Sequence, residues 1–237
     1  MSDLRRRFLD QRRIRGRHRF DTLHAPPYDE HWGQLPESHA RWLARVGGMI
    51  PEGSAVLDAA CGTGRAWPPL LSAGLRVTGT DQSGGMLEVA HRKHPQVPVE
   101  RVALQDLAAF DQWSGRFDGL TCVDAMENVG PEDWPGVLSG FGFVLHRLAP
   151  MYVTVELPDP VETGDLDAHG ECEGVPLAPG ELDRGGRLSL LPAPTAGHRL
   201  VDCGWLRARR RRGSRPLLAR AGAPHAVSRG SRDLQRG

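Results

Sequence analysis

Lysine, asparagine and isoleucine are nearly missing from this 237-residue chain, which has Lys93, Asn128, Ile14 and Ile50 and no others of those types. All three residues use A/T-rich codons, so the gene is read as very GC-rich. Long apolar runs are absent too: no stretch of 18 apolar residues occurs, which excludes a membrane-spanning helix. The basic N-terminus has no apolar stretch behind it, so no secretory signal is expected and the cytoplasm is the expected location. Cysteine is scarce and scattered. Cys61, Cys122, Cys172 and Cys203 form no CxxC pair and no dense framework, which argues against a zinc site or a disulfide scaffold.

The net charge of +1 conceals segregation. Residues 1–20 carry eight Arg and two Asp, and residues 184–237 carry thirteen Arg and two Asp. Between them, 21–183 holds 9 basic and 25 acidic residues. Such basic tails suit nucleic acid or an anionic membrane. A GC-rich gene read in a wrong frame also produces Arg, Ala, Gly and Pro, so the tails have a second explanation.

Residues 1–24 show no helical or strand period and are expected to form a basic, flexible segment. From Pro36 to Val46 the pattern predicts an amphipathic helix with Ala40, Trp42, Leu43 and Val46 facing a core. Strands and helices then alternate. Strands are expected at Ala55–Ala60, Arg76–Asp81, Val99–Asp106, Gly119–Ala125 and Met151–Leu157. Helices are expected at Arg65–Ser72, after a Ser83 cap, and at Pro135–Arg147. This order predicts an α/β fold with a doubly wound, mostly parallel, Rossmann-like sheet. The expected organisation is a basic segment (1–24), a ligand-binding domain (25–160) and an irregular Arg/Gly/Pro-rich region (161–237).

The segment Val56-Leu-Asp-Ala-Ala-Cys-Gly-Thr-Gly64 runs a strand into a tight turn. Glycine there permits a positive φ and the close approach of a ligand to the backbone. Asp58 stands just before the turn and Asp81 ends the second strand. An acid at the latter point can accept hydrogen bonds from both hydroxyls of a ribose. The dinucleotide pattern GxGxxG fails, because Pro68 sits near its third glycine. That failure, with Asp58, argues against a nicotinamide dehydrogenase.

Taken in order, these features resemble the class I S-adenosylmethionine-dependent methyltransferases. The resemblance covers about Tyr28 to Leu157. Asp58-Ala-Ala-Cys-Gly-Thr-Gly64 is similar to the family's first motif, and Asp81-Gln82-Ser83 followed by Met86-Leu87 to its second. Gln105-Asp106-Leu107 matches the end of the third strand, Asp124-Ala-Met-Glu-Asn-Val129 the segment after the fourth, and Tyr28-Asp29 a pair preceding the first helix.

The resemblance implies that S-adenosyl-L-methionine is the cofactor. Its methionine part would lie on the Asp58–Gly64 turn, including Ala60 and Gly62. Its ribose would lie at Asp81 beside Gln82, and its adenine amino group at Asp106, with Gln105 either a cofactor contact or a solvated residue. Met86 is either an adenine contact or plain core packing. Tyr28 and Trp32 are either a lid or helix packing. Asp124 borders the methyl group, and Glu127 is the candidate proton acceptor, ahead of Glu156 and His31. A small-molecule methyl acceptor is expected. Nucleic-acid methylation is disfavoured because Ala25-Pro-Pro-Tyr28 lacks the amide or carboxylate that would bind an exocyclic amine, and because the acidic middle repels phosphate. A protein that binds the cofactor without turnover, and a nucleic-acid enzyme using the Arg tails, are the alternatives.

The chain departs from the family pattern after the fifth strand, where two further strands are expected and not seen. Leu188-Ser-Leu-Leu-Pro192 can be encoded CTA-TCA-CTA-CTA-CCC, and a shift of one base reads Tyr-His-Tyr-Tyr. In that frame Leu200–Leu206 can yield Trp-Leu-Thr-Ala-Ala-Gly-Phe, similar to the end of related methyltransferases. The expectation is an out-of-frame C-terminal region, missing last strands and impaired activity.

Overall fold

The computed structural model describes residues 1–155 and, beyond them, the short strands Glu171–Cys172, Val175–Pro176, Glu181–Asp183 and Leu188–Leu190. The expectation of an out-of-frame, irregular region therefore falls largely outside the described residues. What is described there is two antiparallel strand pairs, one of Glu171–Cys172 with Val175–Pro176 and one of Glu181–Asp183 with Leu188–Leu190.

Five parallel strands form the sheet: β1 (Ala55–Ala59), β2 (Arg76–Asp81), β3 (Val99–Arg101), β4 (Gly119–Cys122) and β5 (Met151–Val153). Their spatial order is β3-β2-β1-β4-β5. This is the expected doubly wound arrangement, with the order reversing between β1 and β4. Asp58 pairs in register with Gly79 on one side and Thr121 on the other.

Alternation along β1 sends side chains to two apolar layers. Leu57 and Ala59 pack with Leu107, Phe117, Leu120 and Phe141 on one face. Val56 packs with Leu43, Trp67, Leu70, Val77 and Leu87 on the other. Helices cover both faces: α3 (Glu37–Gly47), α4 (Trp67–Ser72) and α5 (Gly84–Lys93) on the second, α6 (Trp134–Val144) on the first. The α5 N-terminus is capped as expected, with the Ser83 hydroxyl accepting from the Met86 amide at 3.1 Å. In α3 the buried stripe is His39, Leu43, Val46 and Gly47, so the helix is rotated toward His39 relative to its apolar pattern.

Two stretches differ from the sequence reading. β3 ends at Arg101 and a 3-10 turn, Leu104–Ala109, follows, so Gln105 and Asp106 lie on a turn. The larger correction is at the N-terminus, where the expected loose segment is helical. α1 spans Asp3–Arg19 and continues into a wider π-type turn, Phe20–His24, and then α2 (Tyr28–Trp32). The helix docks with Phe8 and Leu9 buried and Arg5 clasping Glu132 through two bonds, at 2.8 and 3.2 Å. Arg13 donates to Asp133 at 2.8 Å. Burial works to raise the Glu132 pKa, but the Arg5 hydrogen bond and charge outweigh it and the net shift is downward. Among the described residues no helix is long and apolar enough to cross a membrane.

Candidate active site

The carboxyl ends of β1, β2 and β4 open into a cavity of about 770 Å³. Ala60, Gly62, Asp81, Gln82, Met86, Gln105, Asp124 and Glu127 line its floor and walls, and Tyr28 lines its roof. The sheet thus brings these nine candidates, from five separate stretches of chain, into one hollow.

Ala60 and Asp124 mark where β1 and β4 leave the sheet, and both are non-glycine residues in the left-handed region, at φ 56° and 51°. Such backbone is held only where its surroundings over-determine it. The Asp124 carboxylate is fixed by Arg65 at 2.6 Å and by the Thr154 hydroxyl at 2.9 Å, and His39 Nε2 lies 3.5 Å away. His39 is buried and bonded through Nδ1 to the Tyr152 hydroxyl at 2.8 Å.

The two turn glycines have different reasons. Gly62 has φ +56°, and a Cβ there would meet nothing within 4 Å, so the backbone lies bare to the cavity. Gly64 has φ +76°, and a Cβ there would stand 2.6 Å from the Trp67 ring. It is absent from the cavity wall, because its lack of a side chain makes room for an indole.

Asp58 must be corrected in the same way. It lies beneath the turn, fully buried, and does not line the cavity. Its carboxylate accepts from Trp67 Nε1 at 2.8 Å and from the Thr121 hydroxyl at 2.6 Å. Burial raises its pKa to about 6, against those two bonds and with the Asp81 charge adding to the rise. Asp81, by contrast, reaches the cavity. One oxygen accepts from the Gly62 amide and the other from the Ser83 amide, both at 2.9 Å. Burial raises its pKa too, opposed by these two amides. Each carboxylate oxygen keeps a lone pair for a further donor. Asp106 is exposed and lines a neighbouring hollow with Arg13, Arg17 and Arg101. Cys61 is buried at the turn, its thiol pushed up by burial and by Asp58 and Asp81, which keeps it a neutral packing group.

Glu127 is buried on the Met126–Asn128 turn, where it accepts from Asn128 Nδ2 at 3.2 Å. Tyr28 packs on Trp32 with ring centroids 5.4 Å apart, and burial raises its pKa. Two carboxylates tie this N-terminal segment to the floor. Asp29 accepts from Thr63 at 2.6 Å and pairs with Lys93 at 2.7 Å. Asp21 accepts from the Ser83 hydroxyl at 2.7 Å and the Gly85 amide at 3.1 Å. The sequence reading missed His39, Arg65 and the roof arginines Arg12, Arg13 and Arg19, all of which line the cavity. Arg65 directly follows Gly64 and could have been read. The roof has a helical spacing, Leu9, Arg12, Gly16 and Phe20, but Arg12 and Gly16 interrupt it, so no continuous apolar stripe reveals it.

Comparison with known proteins gives a consistent class. Residues 56–147 match the family model described as a methyltransferase domain. The curated relatives include YqeM of Bacillus subtilis (strain 168), 30% identical over 127 residues, covering 53% of this chain and 50% of the relative. They also include a ubiquinone biosynthesis O-methyltransferase of Alkalilimnicola ehrlichii, 34% identical over 88 residues, covering 35% and 34%. The chain spans half or less of the length of these relatives. Among solved structures, magnesium protoporphyrin IX methyltransferase from Synechocystis PCC 6803 is 20% identical with a TM-score of 0.51, covering 66% of this chain and 77% of that one. That likeness concerns the fold. The stretch from β1 to the end of α6 is thus similar to a methyltransferase domain and has a Rossmann-like fold. Proteins of this family take their methyl group from S-adenosylmethionine.

Proposed function

We propose that this chain transfers a methyl group from S-adenosyl-L-methionine to a small-molecule acceptor bound under α1. The observation that carries this reading is the meeting of the Asp81 carboxylate with the bare Gly62 backbone on one cavity floor. The residues present fit the cofactor. Asp81 has lone pairs for the two ribose hydroxyls, Gly62 leaves room for the methionine part, and Met86, Val102 and Leu104 offer an apolar slot to adenine. Bound there, the cofactor supplies an electrophilic methyl group on a sulfonium.

The protein's own part is positioning. Tyr28 and Trp32 close over the floor and exclude water. Arg65 holds Asp124 at the rim of β4. Glu127 takes the acceptor's proton where the acceptor must lose one. Asp58 supports this apparatus through Trp67 and has no contact with the ligand. Impaired turnover caused by the C-terminal region belongs to the same reading, and the gene sequence tests it.

Calorimetric titration of the full chain with S-adenosylmethionine, S-adenosylhomocysteine and NAD tests the proposal. The two sulfur compounds are expected to bind and NAD is not. Asp81→Ala is expected to abolish both affinities while leaving the unfolding midpoint within a few degrees. Binding of NAD alone, or unchanged affinity in Asp81→Ala, overturns the reading.

A further inference from the structure

His39 of α3 stands in the cavity wall with its side chain only 8% exposed. Its two nitrogens differ. Nδ1 is fixed by the Tyr152 hydroxyl of β5 at 2.8 Å. Nε2 makes no hydrogen bond among the described residues, and Asp124 Oδ1 lies 3.5 Å from it, near enough for charge attraction but long for a hydrogen bond. Asp124 cannot turn closer, because Arg65 and Thr154 already hold both of its oxygens. When Nδ1–H donates to the Tyr152 oxygen, Nε2 carries a lone pair. A proton taken there makes an imidazolium that faces a fixed carboxylate, which favours the charged form. A second feature faces the same cavity. Phe20, His24, Tyr28 and Trp32 recur every four residues and all line it. Ring centroids are 5.2 Å apart for Phe20 and His24, 5.8 Å for His24 and Trp32, and 5.4 Å for Tyr28 and Trp32. Together they make one aromatic wall, a surface that suits a flat ring.

Resting on the proposed methyl transfer, we infer that the acceptor is a phenol, its ring stacked on this wall and its hydroxyl proton taken by His39 Nε2. As the oxygen's electron pair bonds to the donor's methyl carbon, the O–H bond breaks and its proton passes to Nε2. The S–CH3 pair stays on sulfur, so the sulfonium's positive charge is exchanged for that of an imidazolium beside Asp124. Tyr152 is a positioning residue that holds the ring by its other nitrogen. Glu127 and His39 are alternatives for this one proton. His39 has the stronger claim, because Asp124 matches the charge that it gains. The remaining charged groups are Arg65, bound to Asp124, and the cavity carboxylates Asp81 and Glu127, which oppose a free phenolate. That opposition is the same with and without His39, so a comparison of wild type with a His39 variant isolates the imidazole.

The test uses the full chain and two probes of one shape: 4-nitrophenol, whose phenolate is seen by its absorbance, and 4-nitroanisole, which has no proton to give. Each is titrated with and without S-adenosylhomocysteine. Both are expected to bind in its presence, and Trp32→Leu to weaken both severalfold. The ratio of phenolate to phenol in the bound probe is expected to be about tenfold higher in wild type than in His39→Gln, with S-adenosylhomocysteine affinity unchanged. Tyr152→Phe lowers that ratio by less, and His91→Gln, exposed on α5, leaves it alone. In wild type with 15N-labelled histidine, 4-nitrophenol is expected to shift one Nε2 signal to the imidazolium position while 4-nitroanisole does not, a readout that stands even where the variant fails to fold. Equal ratios in wild type and His39→Gln, or a ratio lost in Glu127→Gln and kept in His39→Gln, overturn the inference. So do displacement of the probes by S-adenosylhomocysteine and loss of its affinity in His39→Gln, which assign the wall or the imidazole to the methyl donor. If the ratio difference appears while no S-adenosylhomocysteine binds, the phenol site stands and the methyl-donor reading falls. Binding of S-adenosylhomocysteine without either probe gives the reverse.

Discussion

The cavity floor is built from strand ends packed against two apolar layers, its carboxylates held by the strands and by the turns and helix that follow them, whereas the roof is fastened by charge pairs to residues 120 or more positions away. Asp81 takes its two amides from the adjoining strand turn and from its own second neighbour. α1 depends on Arg5 with Glu132, Arg13 with Asp133 and the burial of Phe8 and Leu9. The floor is thus expected to share the fold's core cooperativity, and the roof to open without unfolding the sheet.

The sharpest contrast within the floor comes from its two glycines. Gly64→Ala places a methyl 2.6 Å from the Trp67 ring and forces φ +76° on alanine. Left-handed strain and overpacking together are expected to lower stability by about 2–5 kcal/mol in denaturant unfolding. Gly62→Ala carries the left-handed strain alone, about 1–2 kcal/mol, because its methyl enters open space. That methyl stands where the ligand would approach, so Gly62→Ala is expected to lose more S-adenosylhomocysteine affinity per kcal/mol of stability. Equal stability loss in the two variants would break the distinction.

These particulars show what could be read beforehand. The alternation of short apolar strands with helices, and the turn with its following acid, announced the five-stranded parallel sheet and put Gly62 and Asp81 at its carboxyl edge. The same motif could not say that Asp58 faces inward, because that depends on Trp67 folding back beneath the turn. Nor could it separate the two glycines, which have the same left-handed backbone and different neighbours. α1 was illegible for another reason. Its mean apolar content is low, and what docks it is ionic complementarity between residues far apart in the chain. His39 was hidden inside a stripe that the apolar pattern centred elsewhere.

A pH experiment tests the inward-facing Asp58. Its folded pKa, about 6, lies above the ordinary value of 3.8, so the folded state takes up a proton more readily than the unfolded one. The ionised carboxylate therefore costs stability above pH 6, and that cost falls away as the pH drops toward 4. Compared with Asp58→Asn, the wild type is expected to gain stability across that window, by at most about 3 kcal/mol. A difference between the two that does not vary with pH would show that Asp58 is not held as a buried acid.

The roof has its own test. Arg5→Ala leaves Glu132 without its two-pronged partner and is expected to cost about 1–3 kcal/mol, felt locally. Hydrogen exchange should rise over residues 3–19, with protection in β1, β2 and β4 unchanged. Matching loss of protection in the sheet would show that roof and floor unfold together.

The smallest effect belongs to the latch between the two regions. Asp29 is half-exposed and holds Thr63 and Lys93 at once. Burial would raise its pKa, but the Lys93 and Thr63 hydrogen bonds outweigh it, so the folded value lies below 3.8. The latch is therefore fully present above the ordinary carboxylate range and is released as pH falls through the lowered folded value. Asp29→Asn keeps an oxygen for Thr63 and loses the ion pair, an exposed contact worth about 0.2–1 kcal/mol. Exchange at residues 28–32 should rise severalfold at pH 7 while global stability hardly moves. Because Thr63 sits on the glycine turn and Tyr28 on α2, ligand binding should close the gap between wild type and variant if α2 is a lid. If S-adenosylhomocysteine leaves exchange at 28–32 unchanged in both, α2 is packing against the floor and does not act as a lid over it.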